Sequence, residues 1–170
     1  MRYHGPPGDK LALTELVAVL SAAVDRADRE GIVACYAEDS YDDHGVFKGS
    51  GREFAEMICA PSSRSGQMTM HHLLGQSVFD VEGDQAWGET FFVMHAVVGG
   101  ETACGFGCYI DYFRRIDGAW RIGYRRVVPD ATIPARSARS TAADRTATSS
   151  VNASLSSHDA AADSSVMTVG

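Results

Sequence analysis

The chain has 170 residues, 45% hydrophobic and 22% charged, which suits one soluble domain with enough apolar side chain for a single core. Its formal charge of −7, from 15 basic and 22 acidic residues, excludes the basic footprint of a nucleic-acid binder. No run reaches the length of a membrane span and no apolar signal segment follows MRYHGPPGDK, so a cytoplasmic protein with neither membrane nor nucleic-acid partners is expected.

Residues 1–9 read as an N-terminal arm. A first helix is predicted over LALTELVAVLSAAVDRAD, where Leu13, Leu16, Val17, Leu20, Ala23 and Val24 recur at three- and four-residue spacings. Asp25 stands at the edge of that apolar stripe. It either turns out to water or turns inward, where burial demands a hydrogen-bond partner. REGIVACYAED predicts a short second helix with Ile32, Val33 and Tyr36 inward. The following AEDSYDDHGVFKGSG turns sharply, with a short strand near Tyr41 to Phe47 that Gly49 and Gly51 break. REFAEMICA predicts a third helix, stopped by Pro61.

The period then changes from helical to two. QMTMHHLLGQSVFDVE, AWGETFFVMHAVV, TACGFGCYIDYFRRI and AWRIGYRRVVP read as four strands joined by GD, GGE and DG turns. The expected fold class is α+β: a cone-shaped, curved antiparallel sheet wrapped around three N-terminal helices, an α+β barrel enclosing a pocket, over residues 10–130. Residues 135–170 hold nine Ser, nine Ala and four Thr and no aromatic residue, so 131–170 is expected to be a disordered tail. Cys35, Cys59, Cys104 and Cys108 are scattered and lack a second ligand pair for the CxxxC, and they read as buried free thiols.

The order of elements, with AVDRADREG, YAEDSYDDHGVFKG, TMHHLLGQSVFDVEGDQAWGE and YFRRIDGAWRIGYRRVV, resembles the SnoaL-like group of the nuclear transport factor two-like superfamily over residues 10–130. That group includes scytalone dehydratase, a hexachlorocyclohexane dehydrochlorinase, bile acid dehydratases, polyketide cyclases and dioxygenase small subunits, and its active site lies inside the cone. In the dehydratase and dehydrochlorinase branch, an Asp late in the first helix pairs with a His on the first long strand. The resemblance places the Asp at Asp25. It places the His at His71, which stands thirteen residues before Asp84 of the GD turn, with His72 leaving the opposite face of the strand. The pair would act as base and orienting carboxylate, taking a proton from carbon beside a carbonyl.

Two tyrosines of scytalone dehydratase map to Val24 and His44, and its second pocket histidine maps to Ala96, beside His95. His44 and His95 are therefore candidate substrate-binding residues. Tyr36 and Met57 join them because the second and third helices close the mouth of such cones. Arg125 and Arg126 straddle the last strand, so one points inward and needs a carboxylate from the protein or the substrate; Arg125 is the candidate. Asp42, Asp43, His44, His71, His72 and His95 show no metal-ligand spacing, and neither metal nor cofactor is expected.

The expectation is a cofactor-independent lyase or isomerase, dehydratase-like, acting on a small apolar molecule bearing a carbonyl or hydroxyl. The alternatives are a non-catalytic binding or accessory subunit of the same fold, or a polyketide cyclase. Apolar residues on both strand faces, as in FFVMHAVV, lead us to expect a homo-oligomer, dimer or trimer. Truncation after Ile133 is expected to leave the melting temperature within a few degrees of the full chain, as measured by thermal unfolding; a collapse of solubility would show that the tail docks.

Overall fold

The computed structural model describes residues 3–61, 69–98 and 101–133, and the expected tail falls outside them after residue 133. The first helix, α1 (Pro7–Arg26), opens on Pro7, whose missing N–H costs nothing in the first turn. Asp9 in that turn accepts from Arg115 Nη2 at 2.6 Å and Trp120 Nε1 at 3.2 Å, anchoring the helix start to the last hairpin. The helix stops at Ala27, which is left-handed at φ 53° and ψ 41°. Asp28 then caps α2 (Arg29–Cys35) by accepting from the Gly31 N–H at 3.0 Å.

The second helix is shorter than REGIVACYAED predicts, because Tyr36 leaves it to begin β1 (Tyr36–Asp43). Burial of Tyr36, Ala37, Ser40 and Asp42 along this strand outweighs local helix propensity. A hairpin leads to β2 (Lys48–Gly49), and α3 (Gly51–Cys59) starts on a capping box between Ser50 and Glu53. Four long strands follow: β3 (Thr69–Glu82), β4 (Gln85–Val98), β5 (Glu101–Ile116) and β6 (Ala119–Ile133).

The strand order is β2-β1-β6-β5-β4-β3. The last four strands form the expected antiparallel meander, while β1 joins β6 in parallel, a pairing absent from the sequence reading. The α+β fold of three helices and a curved sheet holds. The sheet is mixed and six-stranded, with β2 and β3 as free edges, so it does not close into a barrel.

Its concave face takes Leu13, Val17 and Leu20 of α1 against Phe79, Phe113, Trp120 and Ile122, all buried. The convex face leaves Leu73, Phe91, Ile110 and Tyr124 exposed.

Two interruptions of the pairing control which side chains reach the concave face. Leu74 pairs with Phe92 and Ser77 with Thr90, so Gly75 and Gln76 together oppose one residue of β4. Beyond this bulge Ser77, Phe79 and Val81 face inward; before it the inward set is Met70, His72 and Leu74. In β6, Tyr112 pairs with Tyr124 and Phe113 with Ile122, leaving Gly123 as the extra residue. The inward set accordingly changes from Trp120 and Ile122 to Arg125 and Val127.

The outer edge of β3 is partly covered from within the chain. The Val81 N–H donates to the His4 carbonyl at 2.9 Å, and the His4 N–H donates to Asp80 Oδ1 at 3.0 Å. Among the described residues, no helix is long and apolar enough to cross a membrane.

The left-handed Ala27 holds the turn between α1 and α2, with its N–H on the Val24 carbonyl at 3.1 Å and the Asp28 N–H on the Ala23 carbonyl at 2.9 Å. A β-carbon there opposes the local backbone. Ala27→Gly is expected to raise stability by about 0.5–1 kcal/mol in chemical denaturation, with an unchanged m-value.

Candidate active site

Asp25 lies in the last turn of α1, one turn beyond Ser21, and faces the free edge of β3. One carboxylate oxygen, Oδ2, accepts the backbone N–H of His72 at 2.9 Å. The other, Oδ1, accepts from Nδ1 of the same residue at 2.6 Å. Asp25 therefore turns inward, as the resemblance implied, but its partner is His72 and not His71. His71 projects to the outer face, and the reason is the Gly75–Gln76 bulge. Strict alternation counted back from buried Phe79 would bring His71 inside; one extra residue reverses the parity.

His72 is half-buried against Phe92, and its pKa lies below the ordinary 6.5 because burial disfavours the imidazolium more strongly than Asp25 favours it. The ring is thus neutral at neutral pH. With Nδ1 donating to Asp25, its lone pair resides on Nε2.

The ring lines a cavity of about 250 Å³. Its walls are mostly apolar: Val24 from α1, Phe54, Met57 and Ile58 from α3, Met70 from β3, Phe92 and Met94 from β4, and Val127 from β6. Polar atoms enter from His72, His44 and Tyr109. A small chamber of about 20 Å³, room for a single oxygen atom, shares His44, His72, Tyr109, Phe54 and Val24 and adds Leu20, Ser21 and Arg125. Ser21 is buried, and its Oγ has no hydrogen-bond partner among the described residues.

Arg125 is the inward one of the two arginines, and its carboxylate comes from the protein. Nε and Nη2 grip the two oxygens of Asp111 at 2.8 and 2.7 Å, and the guanidinium lies 4.0 Å from the ring centre of Tyr109. Burial alone would favour neutral arginine, but the charge and hydrogen bonds of Asp111 raise its pKa above the usual guanidinium value. Pulling Arg125 onto a ligand would strand Asp111, which fixes it as a wall of the site.

His44 sits at the turn after β1 and stacks on Phe54, 4.4 Å between ring centres and 16° between planes. Its Nδ1 contacts Asp42 Oδ1, and the other Asp42 oxygen accepts from the Tyr36 hydroxyl. Tyr36, expected at the ligand, stands behind Asp42 with its ring fully buried and off the cavity wall. His95 is also displaced from expectation: it pairs with His71 across β3 and β4, while its neighbours Met94 and Ala96 take the inward face.

The fold thus gathers Asp25, His44, Met57 and Arg125 of the expected residues, and leaves out His71, His95 and Tyr36. Sequence reasoning missed Ser21, and Asp42 as the backing group of His44. Ser21 had a signal, since it stands one helical turn before Asp25 on the same face. Among the described residues, no three His, Cys, Asp or Glu side chains converge in the manner of a metal site.

A protein of unknown function from Mycobacterium tuberculosis aligns over 74% of this chain and 76% of its own, at 27% identity and TM-score 0.64. A protein described as a scytalone dehydratase from Novosphingobium aromaticivorans aligns over 78% and 95%, at 17% identity and TM-score 0.66. Hexachlorocyclohexane dehydrochlorinase LinA-type3 from Novosphingobium barchaimii aligns over 75% and 90%, at 16% identity and TM-score 0.66. No curated protein matches the sequence significantly. The SnoaL-like domain profile matches residues 8–126, most of the chain, and the protein belongs to the SnoaL-like domain family.

Proposed function

We propose that the cavity is the active site of a cofactor-independent lyase in which His72, oriented by Asp25, removes a proton from carbon beside a carbonyl in a small, mainly apolar molecule. The observation that carries this reading is the doubly bonded Asp25–His72 pair at the wall of an apolar cavity. A neutral imidazole with its lone pair on Nε2 is ready to accept the proton, and the carboxylate stabilises the imidazolium that results. Loss of hydroxide or halide from the adjacent carbon completes the elimination. The solved neighbours are described as a scytalone dehydratase and a hexachlorocyclohexane dehydrochlorinase, names that denote loss of water and of hydrogen chloride, which supports an elimination.

The carbonyl must be polarised while its neighbouring carbon loses a proton. Ser21 supplies an unpartnered buried hydroxyl beside His72 in a chamber the size of one oxygen, and we assign it that role. A binding subunit would have no use for a neutral, carboxylate-backed base.

The test is α-hydrogen exchange in deuterated water, followed by NMR over a panel of small β-hydroxy ketones. Asp25→Asn is expected to lower the exchange rate by roughly 10²- to 10⁴-fold, and His72→Ala to abolish it. His71→Ala, on the opposite face, leaves it unchanged. The wild-type rate falls as pH drops through the His72 pKa, so its acid limb lies below pH 6.5 and the rate is flat near neutrality. A full rate in His72→Ala, or an acid limb above pH 6.5, contradicts the assignment.

Ser21→Ala separates function from stability. Removing a buried, unpaired hydroxyl is expected to stabilise the fold by about 1 kcal/mol in thermal unfolding. The same change lowers kcat/KM by about 10- to 100-fold through loss of the carbonyl contact. A variant that loses stability and keeps its activity would show that the hydroxyl serves packing alone.

A further inference from the structure

A second carboxylate-backed imidazole faces the same cavity as the first. His44 lines both the cavity and the chamber below it, across from His72, and its Nδ1 rests on Asp42, leaving Nε2 as the ring's other functional nitrogen. We propose that His44 is the general acid of the reaction, donating from Nε2 to the departing hydroxyl while His72 takes the α-proton; this rests on the lyase reading above.

The argument is one of buried charge. Three carboxylates, Asp25, Asp42 and Asp111, surround the floor of the site, and Arg125 is committed to Asp111 through both of its short hydrogen bonds. Asp42 is fully buried. Its two partners are the Tyr36 hydroxyl and the His44 ring. Burial keeps Tyr36 a neutral phenol, so of the two groups in hydrogen-bond contact with Asp42 only the His44 ring can carry a compensating proton.

The groups facing His44 are Asp42 and Tyr36 on β1, Asp111 and Tyr109 on β5, Arg125 on β6, His72 on β3 and Asp25 on α1. Asp25 is taken up by His72. The two imidazoles line one cavity, each backed by its own carboxylate, which is the arrangement a division of labour between acid and base requires.

The step balances. The C–H bond breaks with its proton going to His72 Nε2, and that electron pair becomes the new C=C bond. The C–O bond breaks, its pair leaves with oxygen, and the His44 proton converts the departing hydroxide to water. The enzyme ends with His72 protonated and His44 neutral, and proton exchange with solvent resets both.

A hydroxyl needs this proton and a chloride does not, so the leaving group reads out His44. The experiment compares a β-hydroxy ketone with its β-chloro counterpart on wild type, His44→Gln and the double variant carrying Asp42→Asn with His44→Gln. The double variant removes the carboxylate that the single change leaves uncompensated, and it keeps the comparison available if His44→Gln folds poorly. In both, water elimination is expected to fall by roughly 10²- to 10⁴-fold more than chloride elimination, each relative to wild type. Equal losses on both leaving groups, or none on either, overturn the acid role of His44. Absence of α-exchange in wild type instead overturns the His72 base, and this proposal with it.

Discussion

The site depends on one carboxylate binding the same residue twice. An edge strand presents backbone N–H groups with no neighbour, and Asp25 fills one of them at His72 while its second oxygen takes the imidazole of that residue. The backbone bond fixes where α1 meets β3 along the strand. The side-chain bond then sets the ring's rotation and tautomer, so a single contact both seals an edge and orients the imidazole. With His4 covering the other end at Val81, the edge of β3 is closed from within the chain at two points.

The surroundings explain why that imidazole stays neutral. Apolar side chains from α1, α3 and three strands exclude water from His72, and burial outweighs the pull of Asp25 on its proton. The same exclusion makes each remaining buried charge costly, and the fold answers with pairs: Arg125 on Asp111, and His44 on Asp42. Ser21 answers to neither pair: its buried hydroxyl has no hydrogen-bond partner among the described residues and borders the small chamber. An unpartnered hydroxyl beside a cavity marks where a ligand atom belongs.

Much of this was legible in the sequence. The three- and four-residue spacing from Leu13 to Val24 defines α1, and period-two runs with GD and DG turns define the meander. Asp25 was readable as an acid on an apolar stripe that had to be satisfied. What the sequence concealed was parity. A bulge at Gly75 and Gln76 exchanges His71 for His72, and another at Gly123 brings Arg125 inward while Tyr124 stays on the exposed face. Both depend on how neighbouring strands pair, information that no local window contains. The parallel pairing of β1 with β6 was hidden for the same reason, and with it the placement of Asp42 behind His44.

The central claim is that His72 is a neutral base with its proton on Nδ1, and nitrogen-15 NMR of the histidine side chains tests it most directly. Assigned by comparison with His72→Ala, the His72 ring is predicted to show a protonated Nδ1 coupled to a downfield proton and an unprotonated Nε2 at pH 7, a state that persists as pH is lowered past 6.5. Two protonated nitrogens at pH 7, or the proton on Nε2 alone, would contradict the account.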